Sequence, residues 1–409
     1  MRPPSIGEVV FAVVSLVVLT DVADAPLAQM LAPAAAAPAI PITRLLLLPT
    51  FVGSVLLLAG DRRRACASLR QTWPLVVLVA WAALSALWSA APAVTLTWSA
   101  GLAGTTAFGV VLALRFTPER QLRVLALALA LVAAGSLLTP LLPPELRGRL
   151  GIRLGAWVGL FFDCNLFGRV MALAALVGAL LALASPPSRA AALVGCGVAL
   201  ALLRGSHSLT PQIALAGSAA VAALLCAAQR TSRRAGRRLL VAAAGLAMLA
   251  ALAVAARPSV PLAAVGKTVS LSGRVEIWRG VADAIRERPL LGYGYGAYWR
   301  GAVAGPPGTN SGRHAHNGFL DLAAELGAVG VLLFAVPAAI YVRRAVRQTL
   351  GTRSALALWP PAYFTFLLLT NLAESALLRH KIYWALYVAA VVSAACRPYT
   401  SQRKLPTAR

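Results

Sequence analysis

Long apolar stretches rich in Leu, Ala and Val recur from one end of this chain to the other. Most of them approach the ~20 residues that a helix needs to cross ~30 Å of hydrocarbon. Hydrophobic residues make up 59% of the 409 residues, which is above the share typical of water-soluble domains. The apolar pattern therefore predicts an all-α, polytopic transmembrane bundle and excludes an ordinary soluble enzyme.

Charged residues, prolines and glycines at the ends of the apolar stretches predict about twelve membrane spans. The predicted spans lie near 6–20, 42–59, 73–90, 98–115, 124–142, 166–184, 190–203, 209–228, 239–256, 318–342, 355–372 and 382–396. The first stretch is interpreted as a span and not as a signal peptide, because Glu8 and the single Arg2 make a weak basic n-region. We expect one integral membrane domain over 1–409, with a long external loop at 257–317.

Lys and Arg in the short loops predict the orientation of the spans, because such loops resist translocation across the membrane. The basic clusters occur in loops that would all lie on one side. They fall at 62–70, 115–123, 189, 230–238, 343–353 and 397–409. This arrangement predicts cytoplasmic termini and an external position for residues 257–317.

Some positive charge falls on the predicted external side, where topology does not explain it. Guanidinium groups hold phosphate oxygens in a fixed fork, so these arginines either bind an anionic ligand or contact anionic lipid headgroups. The external arginines include Arg153, Arg169, Arg204, Arg274 and Arg379, and the external histidines are His207, His314, His316 and His380.

The net charge of +25 does not indicate a nucleic-acid-binding protein, because the arginines are scattered between apolar stretches instead of forming one basic face. The five cysteines show no CxxC or other metal-binding spacing. The histidines and carboxylates also lack a clear set of three or four ligands. We therefore expect neither a metal nor another cofactor.

The segment 274–299 combines an amphipathic pattern with a run of glycines and aromatics. Ile277, Val281, Ala284 and Ile285 form an apolar stripe at helical spacing, and Pro289 should end the helix. In the following GYGYGAYW, Tyr293 and Tyr295 offer flat faces. Such rings stack on sugars, and they also form interface belts in membrane proteins.

The sequence HAHNGFLDLAAELG leads directly into the tenth predicted span. His314, His316 and Asn317 should lie at its start, where free backbone N–H groups and the helix dipole favour an anion. Asp321 and Glu325 share one helix face just inside the bilayer. Carboxylates there are unfavourable enough to indicate either a functional role or pairing with a neighbouring Arg.

The runs SGRVEIWRGVADAIRERPLLGYGYGAYW and HAHNGFLDLAAELGAVGVLLF resemble the O-antigen ligase and polysaccharide polymerase family of bacterial inner-membrane glycosyltransferases. The resemblance extends over about 270–335 and is weaker around Gly155, Asn165 and Gly168. The loop is more similar to the exopolysaccharide polymerase branch than to the ligases. This chain departs from the family in GSHSLT, where many members have a basic residue after the serine.

The resemblance implies a multi-pass membrane glycosyltransferase fold and metal-independent transfer of a glycan from undecaprenyl pyrophosphate at the periplasmic face of the bacterial inner membrane. Arg274 matches the family's Arg before Trp, and His316 matches its His before Asn. The resemblance implies that Arg274 stabilises the pyrophosphate and that His316 acts as a base or contacts a phosphate. The implied substrate-binding residues are His314, Asn317, Arg204, His207, Arg169, Arg153, Tyr293 and Tyr295.

Three functions remain open at this stage. A polymerase would use a lipid-linked glycan as acceptor, whereas a ligase would use the lipid A core. A flippase for lipid-linked sugars would share the spans and the outward arginines, but transporters often contain two similar halves, and no such repeat is evident here. Membrane lipids and other polysaccharide assembly proteins are the expected partners.

Reporter fusions test the predicted topology. Fusions after Arg64, Arg234 and Arg347 should report the cytoplasm, because these positions follow basic loops. Fusions near Ala93 and Pro306 should report the periplasm. A cytoplasmic signal from Pro306 would contradict the external placement of the candidate site.

Overall fold

The computed structural model describes residues 3–31, 45–143, 150–153, 155–232, 234–236, 238–239, 242, 274–300 and 314–396. Most of these residues are helical, which confirms the prediction of a polytopic helical membrane protein. The predicted external loop at 257–317 is described only at 274–300 and 314–317. Arg147 and Arg149, two further arginines of the predicted external side, lie outside the described residues.

The described helices follow the order of the predicted spans. They are α1 Ile6–Val18, α2 Asp24–Leu31, α3 Leu48–Ala59, α4 Arg62–Gln71, α5 Trp73–Leu84, α6 Pro92–Arg115, α7 Pro118–Leu137, α8 Cys164–Ala184, α9 Arg189–Gly205, α10 Leu209–Arg230, α11 Arg274–Glu287, α12 Gly318–Leu350, α13 Trp359–Asn371 and α14 Ile382–Cys396. An antiparallel hairpin of β1 Gly151–Arg153 and β2 Ala156–Gly159 connects α7 to α8.

Among the described residues, six helices are long and apolar enough to cross a membrane. They are Pro92–Arg115, Pro118–Leu141, Cys164–Ala184, Pro186–Gly205, Leu209–Arg230 and Gly318–Leu350. Shorter apolar helices form at α1, α3 and α14, and α4 meets α5 at a 90° bend. Helices overlap every predicted span except 239–256, which lies mostly outside the described residues. The number of twelve crossings therefore stays a prediction.

Helix α14 lies at the centre of the bundle, and its residues from Ile382 to Ala394 are buried. A helix that is apolar all round is typical of such a position. Gly109 on α6 allows close approach, because a Cβ there would lie 2.6 Å from the carbonyl oxygen of Ala385. Trp384 Nε1 also donates to Thr106 Oγ1 at 2.8 Å. These contacts fix α14 against α6.

Loops that the sequence assigns to the external side meet at one end of the bundle. The contacts are Ala90 N to Tyr293 O at 3.0 Å, Gly318 N to Glu374 O at 3.0 Å, Ile382 N to Leu19 O at 2.8 Å, and an ion pair between Lys381 and Asp21. Arg115 pairs with Glu8 at 3.4 Å at the other end. The alternation of loops along the sequence therefore agrees with the way the helices pack.

Helix α12 is broken at Gly327, where φ is 64° and ψ is −168°. The backbone groups freed by the break bond to residues 289–294, which lie against it. These bonds are Tyr293 N to Ala324 O at 2.9 Å, Gly294 N to Glu325 O at 2.9 Å, Ala328 N to Pro289 O at 2.8 Å, and Val329 N to Leu290 O at 3.3 Å. Irregular backbone at membrane depth requires such internal partners. The residues 318–326 thus form a short, separate half-helix.

Gly327→Ala should destabilise the protein, because the added Cβ would lie 2.2 Å from Leu290 O and the φ is positive. This combination of φ and ψ is essentially restricted to glycine and alone disfavours Ala by ~1–3 kcal/mol. Thermal unfolding in detergent should therefore show a lower midpoint. Gly195→Ala is the matched control, since a Cβ there meets nothing within 4 Å. Equal midpoints for the two variants would contradict the role of Gly327.

Candidate functional site

The site forms around the start of α12. Asn317 caps this helix, and its Oδ1 accepts from Phe319 N at 3.0 Å and from Leu320 N at 3.2 Å. The Asn317 Nδ2 donates to Leu372 O at 3.3 Å, in the segment after α13. His316 precedes the cap with a φ of 50°, a conformation that is uncommon for residues other than glycine. The cap therefore fixes residues 314–317, the histidine loop, against the end of α13.

Both backbone groups of Ala315 are held by other parts of the chain. Its N–H donates to Asp321 Oδ1 at 2.9 Å, and its carbonyl accepts from Trp278 Nε1 at 2.8 Å. Asp321 Oδ1 also accepts from Trp299 Nε1 at 2.8 Å. These bonds join α11 and the segment that contains Trp299 to the peptide between the two histidines. Contacts from other parts of the chain therefore help to position both imidazole rings.

His314 and His316 lie next to each other, with ring centroids 4.2 Å apart. His314 Nδ1 accepts a hydrogen bond from His316 N at 3.2 Å. Burial, followed by the charge of the neighbouring His316, lowers the pKa of His314 to about 4. His314 is therefore neutral near pH 7 and supports the loop as a hydrogen-bond acceptor.

Glu374, between α13 and α14, is the carboxylate of this site. It is buried, with 4% exposure. Its Oε1 lies 3.5 Å from Arg274 Nη2, and its Oε2 lies 3.9 Å from His316 Nδ1, too far for a direct hydrogen bond. Burial raises the pKa of Glu374, but His316, Arg169 and Arg274 outweigh this effect and lower the pKa to about 2. The carboxylate stays ionised among three basic side chains.

Two buried nitrogens of this group lack a hydrogen-bond partner among the described residues. They are Arg169 Nε and His316 Nδ1. Arg169 lies in the first turns of α8 with 7% exposure, and its guanidinium is 5.7 Å from the Tyr383 ring centroid. Two guanidinium groups and an imidazole face one carboxylate, so this group, the Glu374 cluster, has excess positive charge and free donors. Such a site suits an anion.

A second charged group lies deeper in the first half of α12. Arg379 Nη1 donates to Glu325 Oε1 at 3.0 Å and Oε2 at 3.2 Å, and Arg379 Nη2 donates to Asp321 Oδ2 at 3.2 Å. All three side chains are buried. Of the two interpretations of these carboxylates, pairing with a neighbouring Arg is therefore confirmed. This Arg379 group fixes the half-helix to the segment that contains Glu374.

Helix α11 buries the predicted apolar stripe. Ile277, Val281 and Ala284 are buried and Ile285 is partly buried, which confirms the amphipathic pattern. The helix ends at Glu287, before Pro289. Arg274, its first residue, also donates through Nη1 to Ala373 O at 2.8 Å. Both of its described partners lie beside α13, so the orientation of α11 positions Arg274 toward Glu374.

Tyr293 and Tyr295 are both buried, and their hydroxyls bond to the protein. Tyr293 donates to Glu287 Oε2 at 2.5 Å, and Tyr295 donates to the carbonyl of Leu378. Burial, together with Glu287, raises the pKa of Tyr293 to about 12. In this structure both rings contribute to packing, and their contact with a sugar stays a prediction.

The remaining predicted residues lie outside the Glu374 cluster. Arg204 lies in the last turn of α9 and His207 on the turn that follows, and both are exposed. Among the described residues, neither side chain forms a hydrogen bond or ion pair with the cluster. This turn lies beside the start of α8, because Ser208 Oγ donates to Asn165 Oδ1 at 2.6 Å. Arg153, in β1, donates to Phe162 O at 3.0 Å.

Glu374 was missed by sequence reasoning, and only one signal pointed to it. It is one of 13 acidic residues in the chain and lies between two apolar helices, five positions before Arg379. An isolated acid beside a predicted external Arg indicates a charged group near the membrane surface, but it does not identify the partner. The sequence assigns Arg379 to the external side but does not identify its two carboxylate partners.

Comparison with known proteins gives two matches. Residues 173–335 match the family described as O-antigen ligase. Over 112 residues the chain is 34% identical to the exopolysaccharide production protein ExoQ of Rhizobium meliloti (strain 1021), which covers 25% of this chain and 26% of that protein. The chain thus matches about a quarter of the length of this curated relative. The two matches confirm the resemblance to the O-antigen ligase and polysaccharide polymerase family.

Glu374→Gln should lower the stability of the protein strongly, because it leaves two arginines near an uncharged amide. Loss of one partner of a buried ion pair destabilises by roughly 3–5 kcal/mol. Asp283→Asn is the matched control, since Asp283 and its partner Arg286 are 67% and 75% exposed. Thermal unfolding in detergent should therefore show a much larger shift for Glu374→Gln. Similar shifts would argue against Glu374 as the centre of the cluster.

Proposed function

From the O-antigen ligase family match over 173–335, we propose that this protein is a membrane glycosyltransferase that polymerises a glycan linked to undecaprenyl pyrophosphate. The observation that supports this function best is the Glu374 cluster, which combines excess positive charge with a histidine at the start of a helix. The relative ExoQ, an exopolysaccharide production protein, favours polymerisation. The predicted topology places the reaction at the periplasmic face of the inner membrane.

In the proposed reaction, an acceptor hydroxyl oxygen attacks the anomeric carbon of the donor glycan. The bond from that carbon to the phosphate oxygen breaks, and undecaprenyl pyrophosphate leaves with the bonding electrons. Arg274 and Arg169 would stabilise the negative charge that develops on the leaving group. Donors already oriented toward that charge in a site with little water are worth far more than donors in bulk solvent.

We assign the proton transfer to His316. The hydroxyl proton would pass to its imidazole as the new glycosidic bond forms. Glu374, 3.9 Å from His316 Nδ1, would then stabilise the imidazolium. Asp321 and Glu325 suit this role less well, because both carboxylates already pair with Arg379. A phosphate contact is the alternative role for His316.

Other predicted residues receive supporting roles. Asn317 and His314 would hold His316 in its turn through the cap and the ring contact. Arg204 and His207, exposed beside the start of α8, would contact the pyrophosphate or the acceptor glycan. Because guanidinium groups supply the positive charge, the proposed reaction uses no metal.

Substitutions of His316 and Arg274 test the proposal. Removal of a general base slows a reaction by about 10²–10⁴, and removal of one charge-stabilising donor by about 10²–10³. His316→Ala and Arg274→Ala should therefore abolish detectable polymer when purified protein is incubated with lipid-linked donor in a metal chelator. Arg274→Lys should restore little activity, because an ammonium group lacks the bidentate fork. Arg286→Ala is the control, since Arg286 is exposed.

The products of the same assay separate the alternatives. Normal polymer from His316→Ala at matched protein levels would show that this histidine is structural. A single transfer to a lipid A core, without chain growth, would instead indicate a ligase. Activity that is lost in chelator and restored by one divalent ion would contradict the metal-free reaction.

A further inference from the structure

A narrow apolar groove runs between α7, α8 and α9, away from the Glu374 cluster. Its cavity volume is about 420 Å³. The walls consist mainly of small residues, among them Ala130, Ala134, Gly178 and Gly195, and Arg123 lies at one end. We propose that this groove binds one acyl chain of an anionic phospholipid, with the lipid phosphate beside Arg123. The proposal does not depend on the glycan chemistry.

The length and lining of the groove suit a hydrocarbon chain. It follows α7 from Arg123 to Leu137. This distance is about fourteen residues, or ~21 Å at a rise of ~1.5 Å per residue. An extended acyl chain can lie along this wall of small apolar side chains with its headgroup at the Arg123 end.

The charge at the end of the groove favours an anionic headgroup. Arg123 donates to Ser185 Oγ at 3.0 Å and pairs with Glu119 at 2.6 Å. Arg120 precedes Arg123 by three residues on α7, and Arg189 begins α9 next to Ser188, which lines the groove. Three arginines accompany one carboxylate here. Basic pockets between transmembrane helices are typical binding sites for acidic lipid headgroups.

Two glycines of α9 give a matched pair of variants. Gly195 lines the groove, whereas Gly197 is not among its lining residues. Both glycines are exposed, and a Cβ at either position meets nothing within 4 Å, so the two substitutions start from equally open positions. Gly195→Leu should fill the groove, and Gly197→Leu should add the same apolar bulk elsewhere on the helix.

Lipid binding is measured on the full chain by native mass spectrometry, in micelles with phosphatidylglycerol or phosphatidylcholine. We expect the unchanged protein and Gly197→Leu to retain phosphatidylglycerol in preference to phosphatidylcholine. Gly195→Leu should reduce the retained phosphatidylglycerol, and Arg123→Gln should weaken it about fivefold. Arg343→Gln, on another basic loop, should have no comparable effect.

Four results would overturn the proposal. Equal retention by Gly195→Leu and Gly197→Leu would show that the chain does not occupy the groove. Equal retention of the two lipids would remove the preference for an anionic headgroup. Equal losses from Arg123→Gln and Arg343→Gln would indicate general surface attraction. Loss of an oligomer in Gly195→Leu, with unchanged lipid retention, would show that the groove contacts a helix in the oligomer and not a lipid.

Discussion

The pairing of Arg379 with Asp321 and Glu325 is the interaction on which the candidate site depends. Three buried charges are unfavourable unless they neutralise one another with good geometry, and here the guanidinium reaches both carboxylates. The carboxylates lie on the first half of α12, and Arg379 lies between α13 and α14. This pairing therefore holds the histidine loop next to the segment that contains Glu374.

The break at Gly327 makes this arrangement possible. A continuous helix would leave the backbone of residues 289–294 without partners on α12, whereas the break exposes carbonyl and N–H groups that this segment satisfies. Positive φ angles at Gly292, Gly294 and Gly296 let the loop approach closely. The glycine-rich sequence is thus used for packing against a broken helix.

The side chains of the Glu374 cluster are held in place by contacts within the protein, and the cluster still has excess positive charge that suits an anion. Its single carboxylate orients Arg274 and lies near His316, but it does not neutralise all the positive charge around it. Arg169 Nε and His316 Nδ1, which have no hydrogen-bond partner within the described part of the chain, add donors at the same place. A site of this kind is organised before an anion arrives, so binding requires little rearrangement.

The sequence by itself determined the features that depend on neighbouring residues. Apolar length and composition predict the helices, the side chain of Asn317 caps its own helix, and the spacing of Ile277, Val281 and Ala284 defines the buried face of α11. These signals extend over one or two helical turns, and the structure agrees with the helices, the cap and the buried face. The resemblance to the family also points to Arg274 and His316, whose roles stay predictions.

Only the tertiary structure decided which charges meet. Glu374 lies 100 residues from Arg274, and Arg379 lies 54 residues from Glu325. No periodicity or local motif relates such positions, because their contact depends on how separate helices pack. The same packing buried Tyr293 and Tyr295, whose exposure the sequence left open, and it broke α12 at a glycine that helical periodicity alone would have included in one continuous span.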